Sequence, residues 1–280
     1  MKPTTNPATN EAPTPYTPQW VAVQKSTHQH THWVKYTHYQ FTKNTTAAPI
    51  LQAELAELLP FYPLAFIATE KGFQLVALQS LQANLNLYVN TQGQWRVPYI
   101  PATFRSHPFA LVEKTAEELM LCIDQNSEFV HLNPEANPTG EPLFTPENQL
   151  TQPVTEIINF LQQYQANKQL TQQAVDLLAQ HQLIVPWPLE QNQNNTPTPV
   201  KGVYQIDATA LKQLNGEALA ELNQHHALEI AQAQLLSKPR LKHLETLNQH
   251  HQKEQQTTDN AQNLNLDQIF GEEDNNLLKF

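Results

Sequence analysis

Three histidines at alternate positions, His28, His30 and His32, are the first residues in the chain whose type and spacing suit a chemical task. An extended strand would carry all three imidazoles on one side, and imidazoles sharing a face are good zinc ligands. The segment is polar, however, and has no aspartate or glutamate beside it to complete a ligand set or orient the rings. A solvated polar strand is the expectation. His243-Leu244-Glu245 has the two-residue step of some two-histidine-one-carboxylate iron sites, yet it lies in a helical pattern, where residues two apart do not share a face. The pairs His225-His226 and His250-His251 diverge on a helix for the same reason. There is no G-x-S-x-G elbow, no H-E-x-x-H helix and no pair of cysteines, and the six glycines form no cluster that would cradle a phosphate. No catalytic residue, metal or cofactor is assigned, and binding is favoured over catalysis.

The block from Asn84 to Phe109 carries more information. Tyr88, Trp95, Tyr99, Phe104 and Phe109 are spaced around Arg96 and Arg105, two of the three arginines in the chain. A guanidinium among aromatic rings can hold a carboxylate by two parallel hydrogen bonds while stacking on a ring face. It can equally tie loop carbonyls near Pro98 and Pro101 and serve the fold alone. Both readings stand for Arg105, and these seven residues form the candidate binding set.

Composition bounds the scaffold that must position them. A chain of 280 residues can bury roughly 70–75 % of its unfolded surface without disulfides. Its only cysteine, Cys122, sits in the apolar run Leu121-Cys122-Ile123 and is expected to be a small core residue. The formal net charge of −10, with no basic stripe, excludes the usual nucleic-acid footprint. The apolar stretch from Leu58 to Ala68 is broken by Pro60 and Pro63 and falls short of the roughly 20 residues that span a bilayer. With no charged start followed by an apolar segment, a soluble protein of the cytoplasm is the default expectation.

Along the chain, Met1 to Pro18 is rich in proline, threonine and asparagine and reads as a disordered arm. Trp33 to Tyr36 and His38 to Phe41 favour strands, Ile50 to Leu59 a short helix stopped by Pro60. Strands are expected over Pro63 to Ile67, Phe73 to Leu81, Asn86 to Val89, Trp95 to Ile100, Phe109 to Val112 and Leu119 to Ile123. After Pro153 the period becomes helical, with a second helix starting at Thr171. Pro186 to Pro199 reads as a linker or exposed loop. Asp207 is placed to cap a further helix, followed by helices over Glu217 to Asn223, Leu228 to Leu236 and onward from Pro239. The predicted class is α+β: one domain over 19–250, β-rich in 19–150 and helical in 151–250, between an arm at 1–18 and a flexible acidic tail at 251–280.

The aromatic block also carries a family likeness. N-L-x-x-x-V-x-x-x-G-x-W, then Tyr99-Ile100-Pro101-Ala102, then Arg105 before Pro108-Phe109 resembles the core signature of the SapC family. Supporting elements follow in order: Trp33 to Phe41, Glu54, Tyr62 to Phe66, Leu121 to Asp124, Gly140 to Phe144, Gly202 to Asp207 and Ala233 to Ser237. The resemblance covers about Trp33 to Leu247. Ser106 stands where members often have a second arginine, which argues against a strongly anionic ligand. The family is named for a surface-layer locus, so the resemblance implies a bacterial accessory or structural binding protein associated with a surface layer. Similar proteins also occur beside oxygenase- or halogenase-like enzymes, which implies the alternative of an enzyme, or an enzyme's partner, in a peptide- or metabolite-modifying pathway. The expected partner is another protein or peptide. The tail from Asp267 to Phe280, with Ile269-Phe270 and Leu277-Leu278 among acidic residues, is a candidate docking segment.

Overall fold

A computed structural model describes residues 16–115, 118–132, 140–193 and 196–262. The elements run β1 (Trp20–Ala22), α1 (Lys25–His28), β2 (His32–Trp33), β3 (Ala47–Pro49), α2 (Leu55–Leu58), β4 (Leu64–Thr69), β5 (Gly72–Leu78), β6 (Phe109–Glu113), β7 (Leu119–Asp124), β8 (Val130–His131), β9 (Glu141–Pro142) and α3 (Gln152–Gln180). The second half adds β10 (Ile184–Pro186), β11 (Leu189–Gln193), β12 (Thr196–Val200), β13 (Val203–Ile206), α4 (Ala208–Gln213), α5 (Gly216–Gln224), α6 (Ala227–Ser237) and α7 (Leu241–Gln262). The fold is α+β, with most strands in the first half and most helix in the second.

Two apolar cores organise it. The larger surrounds a five-stranded sheet ordered β10-β13-β4-β5-β3, antiparallel at each pairing. Leu64, Ala65 and Phe66 of β4 and Leu75 to Leu78 of β5 are buried in succession, because helices and loops cover both faces of these strands. The smaller core gathers Trp33, Phe109, Ile123, Leu143 and Val154 beside two three-stranded sheets, β1-β7-β6 and β8-β2-β9. Helix α3, 29 residues and about 44 Å long, serves both: Val154 and Leu161 enter the smaller core, Ala174, Val175 and Leu178 the larger.

Several expected elements take other forms. The two helices foreseen after Pro153 are one, because Thr171 caps a different segment: its hydroxyl donates to Asn167 O at 2.7 Å within α3 and accepts from Gln52 N at 3.0 Å. The stretch from Pro186 to Pro199 is a hairpin, β11 against β12, in place of a loop. Strands foreseen over His38 to Phe41, Asn86 to Val89 and Trp95 to Ile100 are a 3₁₀ turn at Gln40–Thr42 and loop, joined only by a bridge between Val89 and Trp95. The alternating histidines do not share a strand. His28 ends α1, fully buried, with Gln24 N and Thr27 Oγ1 at its Nδ1, and a turn separates it from His32 in β2. Asp207 does cap α4, accepting from Thr209 N and Ala210 N at 2.8 and 3.0 Å. The polar stretch beyond His250 continues α7, while residues 1–15 of the arm and 263–280 of the tail lie outside the described residues.

Candidate functional site

Glu54 is where the aromatic block meets the rest of the molecule. The carboxylate is buried and accepts three hydrogen bonds: from Leu51 N at 2.9 Å, Ala102 N at 2.6 Å and Tyr99 Oη at 3.1 Å. It thereby clips the helical turn at 52–54 to the loop at 99–102. Burial, then the charge of Glu54, pushes the Tyr99 phenol up to about 12. Tyr62 continues the network. Its hydroxyl donates to Tyr99 O at 2.6 Å and accepts from Trp95 Nε1 at 2.8 Å, and its ring stacks on Tyr88 at 4.3 Å. Tyr88, also buried, donates to Phe61 O at 2.8 Å. A turn delivers Trp95 to this place: Asn90 Oδ1 accepts from Gln92 N and Gln94 N, and Gly93 holds φ +79° with no room for a side chain, since a Cβ there would lie 2.8 Å from His38 Cβ.

The structure thus brings Tyr88, Trp95, Tyr99 and Phe104 together, with the Phe104 ring 5.6 Å from Trp95. Of the other three candidate residues, Phe109 and Arg96 point away from this set, and Arg105 borders it at Tyr99. Phe109 sits in the smaller core, edge-on to Trp33 at 5.1 Å. Arg96 reaches α7, where Nη2 donates to Glu254 at 2.6 Å. Arg105 is exposed, donates twice to Ile100 O at 3.1 and 2.9 Å, and lies over the Tyr99 ring at 4.7 Å. Its bonds therefore secure the carbonyl that precedes Pro101. Glu54 and Tyr62, which organise this set, were visible in the sequence only as members of the ordered family pattern.

Beside the block lies a cleft of about 510 Å³ between the two cores. Phe104 and Phe109 reach it from the candidate set, joined by Tyr16 and Trp20 before and in β1, Phe41, and Tyr164 of α3. At one end His107 stacks on Phe41 at 3.8 Å and bonds Ser127 Oγ through Nε2 at 2.9 Å. Burial pushes its pKa down to about 4, against a smaller upward pull from Asp124. An imidazole that takes a proton only near pH 4 is a weak general base at neutral pH, so the Ser127–His107 contact does not amount to an activated nucleophile. Asp124 is fully buried and already engaged, accepting from Gln19 N at 2.7 Å, Asn126 N at 3.1 Å and the Tyr16 hydroxyl. Burial and that carboxylate together raise the Tyr16 phenol. Among the described residues, no three His, Cys, Asp or Glu side chains are grouped as a metal ion requires, and no helix is long and apolar enough to cross a membrane.

Comparison with known proteins gives one match: the family model described as SapC fits residues 23–244. No curated protein and no solved structure is significantly similar to the chain.

Proposed function

Because the chain belongs to the SapC family, we infer that it is a non-enzymatic bacterial accessory or structural protein that acts by binding another macromolecule, in association with a surface layer. The observation that carries this reading is the division of labour at the site. Glu54, Tyr62, Trp95, Tyr99 and Arg105 spend their polar groups on one another and on nearby backbone, while the adjoining cleft keeps exposed aromatic surface, including a Trp20 that is 41 % exposed. The first set builds a rigid wall, and the second offers a binding surface. The segment from Asp267 to Phe280 would add a second docking contact.

Fractionation of producing cells tests the reading. The chain is expected in the envelope fraction, and a Trp20→Ala variant is expected to be depleted from it. A chain found wholly free of any envelope or macromolecular complex would overturn the proposal. The cleft volume also suits a small ligand, which keeps the enzyme-partner alternative in view. Co-purification of a small molecule in place of a macromolecule would favour it.

A further inference from the structure

We propose that Arg96 is a recognition site for an acidic side chain of a partner polypeptide, held closed in the free protein by Glu254 of α7. The site lies outside the cleft, so the inference goes beyond the reading above. Its class of occupant is the one the structure already seats there: Arg96 Nη2 donates to a Glu254 carboxylate oxygen at 2.6 Å. That contact uses only part of the guanidinium. Arg96 Nε is buried and makes no hydrogen bond among the described residues, and a buried donor left unpaired is costly. A carboxylate that meets the fork side-on takes Nε and Nη2 together through two parallel bonds. Glu254, fixed to a helix, satisfies Nη2 and leaves Nε unpaired.

Two further features make Glu254 a displaceable occupant of a fixed receptor. Arg96 is anchored: its backbone N–H donates to Tyr88 O at 2.8 Å, and the neighbouring Trp95 indole donates to Tyr62 Oη at 2.8 Å. The outer turns of α7 are held far less firmly. Leu247, His251 and Glu254 follow one another along one stripe of the helix, and burial declines from Leu247 to the half-buried His251 and Glu254. No residue from Asn248 to Thr257 is buried. The Glu254 side chain is 34 % exposed, against 17 % for Arg96. The carboxylate can therefore leave with the outer turns of α7 while Leu244 and Leu247 stay in the larger core. A partner's carboxylate, free of that helix's geometry, gains both bonds on a site that is already in place.

The test uses the full chain and a terminally blocked helical peptide of alanine and glutamine with a single central glutamate, beside a counterpart with glutamine at that position. NMR follows the Arg96 Nε–H resonance and the backbone amides of α7. The glutamate peptide is expected to shift Arg96 Nε–H and to speed amide exchange over 248–257, which marks release of the outer turns. Glu254→Gln, which removes the competing carboxylate, should tighten binding of the glutamate peptide about fivefold, by the factor that the closed form had been favoured. Arg96→Gln added to that variant should abolish the gain, with an unchanged circular dichroism spectrum. An Arg96 Nε–H resonance that no concentration of peptide moves, equal affinity of the parent and Glu254→Gln, or a gain that the glutamine peptide shares would each overturn the inference. Trp20→Ala, in the cleft, should leave this binding unchanged, and a parallel loss would place the peptide elsewhere and overturn it as well. The surface-layer reading is untouched by these outcomes, and its own failure in fractionation leaves the Arg96 site standing.

Discussion

Single side chains decide the geometry of the site, and their roles give distinct expectations. Glu54 offers only acceptor oxygens to three donors, two of them backbone N–H groups. Glu54→Gln turns one end of that group into a donor facing donors, and should cost roughly 1–3 kcal/mol, the range for a buried polar group left unpaired. Chemical denaturation would measure it, and an unchanged midpoint would remove Glu54 from its place as the clip. Arg105→Lys removes the paired donors to Ile100 O while keeping the charge. At so exposed a position the loss should be about 1 kcal/mol or less, and a larger loss would mean that the ring contact with Tyr99 carries more than geometry suggests. His107 sets a pH dependence. In the unfolded chain it protonates near 6.5, in the fold only near 4. Between those values the unfolded state binds a proton that the native state refuses, so stability present above pH 6.5 is lost as pH falls toward 4, by up to about 3 kcal/mol. A His107→Gln variant should flatten the melting temperature across that window relative to the parent. Parallel curves for the two proteins would defeat the assignment.

Secondary-structure elements were legible where one local rule governed them. Strands β4 to β7 show in the sequence as β-branched and aromatic runs between turn residues, and Asp207 shows as a cap because its two bonds are to residues that follow immediately. Asp207→Ala should cost about 1 kcal/mol in a melt, the usual value for such a cap. The misread segments depend on distant partners. Asn86 to Val89 has strand-like composition, but the Asn86 side chain bonds Thr42 and Tyr88 N, which diverts the chain into a turn. Residues 189–200 are polar and proline-bearing, the composition of a loop, yet a two-stranded exposed hairpin tolerates prolines where no ladder bond is needed. Thr171 mimicked a helix start because its hydroxyl does accept from a backbone N–H, that of Gln52 in another element. For the site, the crowding of aromatics around Trp95 was readable from spacing. The cleft was not, because Tyr16, Phe41, Phe104 and Tyr164 come from four separate stretches that meet only when α3 packs against both cores.

Across the whole molecule, α3 joins two cores that otherwise have their own sheets. A proline at the exposed Gln163, in the middle of that helix, should cost about 3 kcal/mol or more and uncouple the halves. Calorimetry of the parent is expected to give one transition and of Gln163→Pro two, with Trp33 reporting the smaller core and Trp187 the larger. A variant that still melts in one step would show that sheet contacts alone suffice for cooperativity. The sheet order carries a different consequence, one of timing. Strand β4 pairs on one side with β5, its immediate neighbour in sequence, and on the other with β13, which the ribosome makes only after all of α3 and the β11–β12 hairpin. Until Val203 to Ile206 have left the exit tunnel, the nascent chain presents Phe66 and Ile67 on an open, apolar strand edge of the kind that recruits chaperones or pairs with other chains. Ribosome-stalled chains ending before residue 203 should therefore retain bound chaperone and resist release as folded protein, whereas chains stalled well beyond residue 240 should shed it.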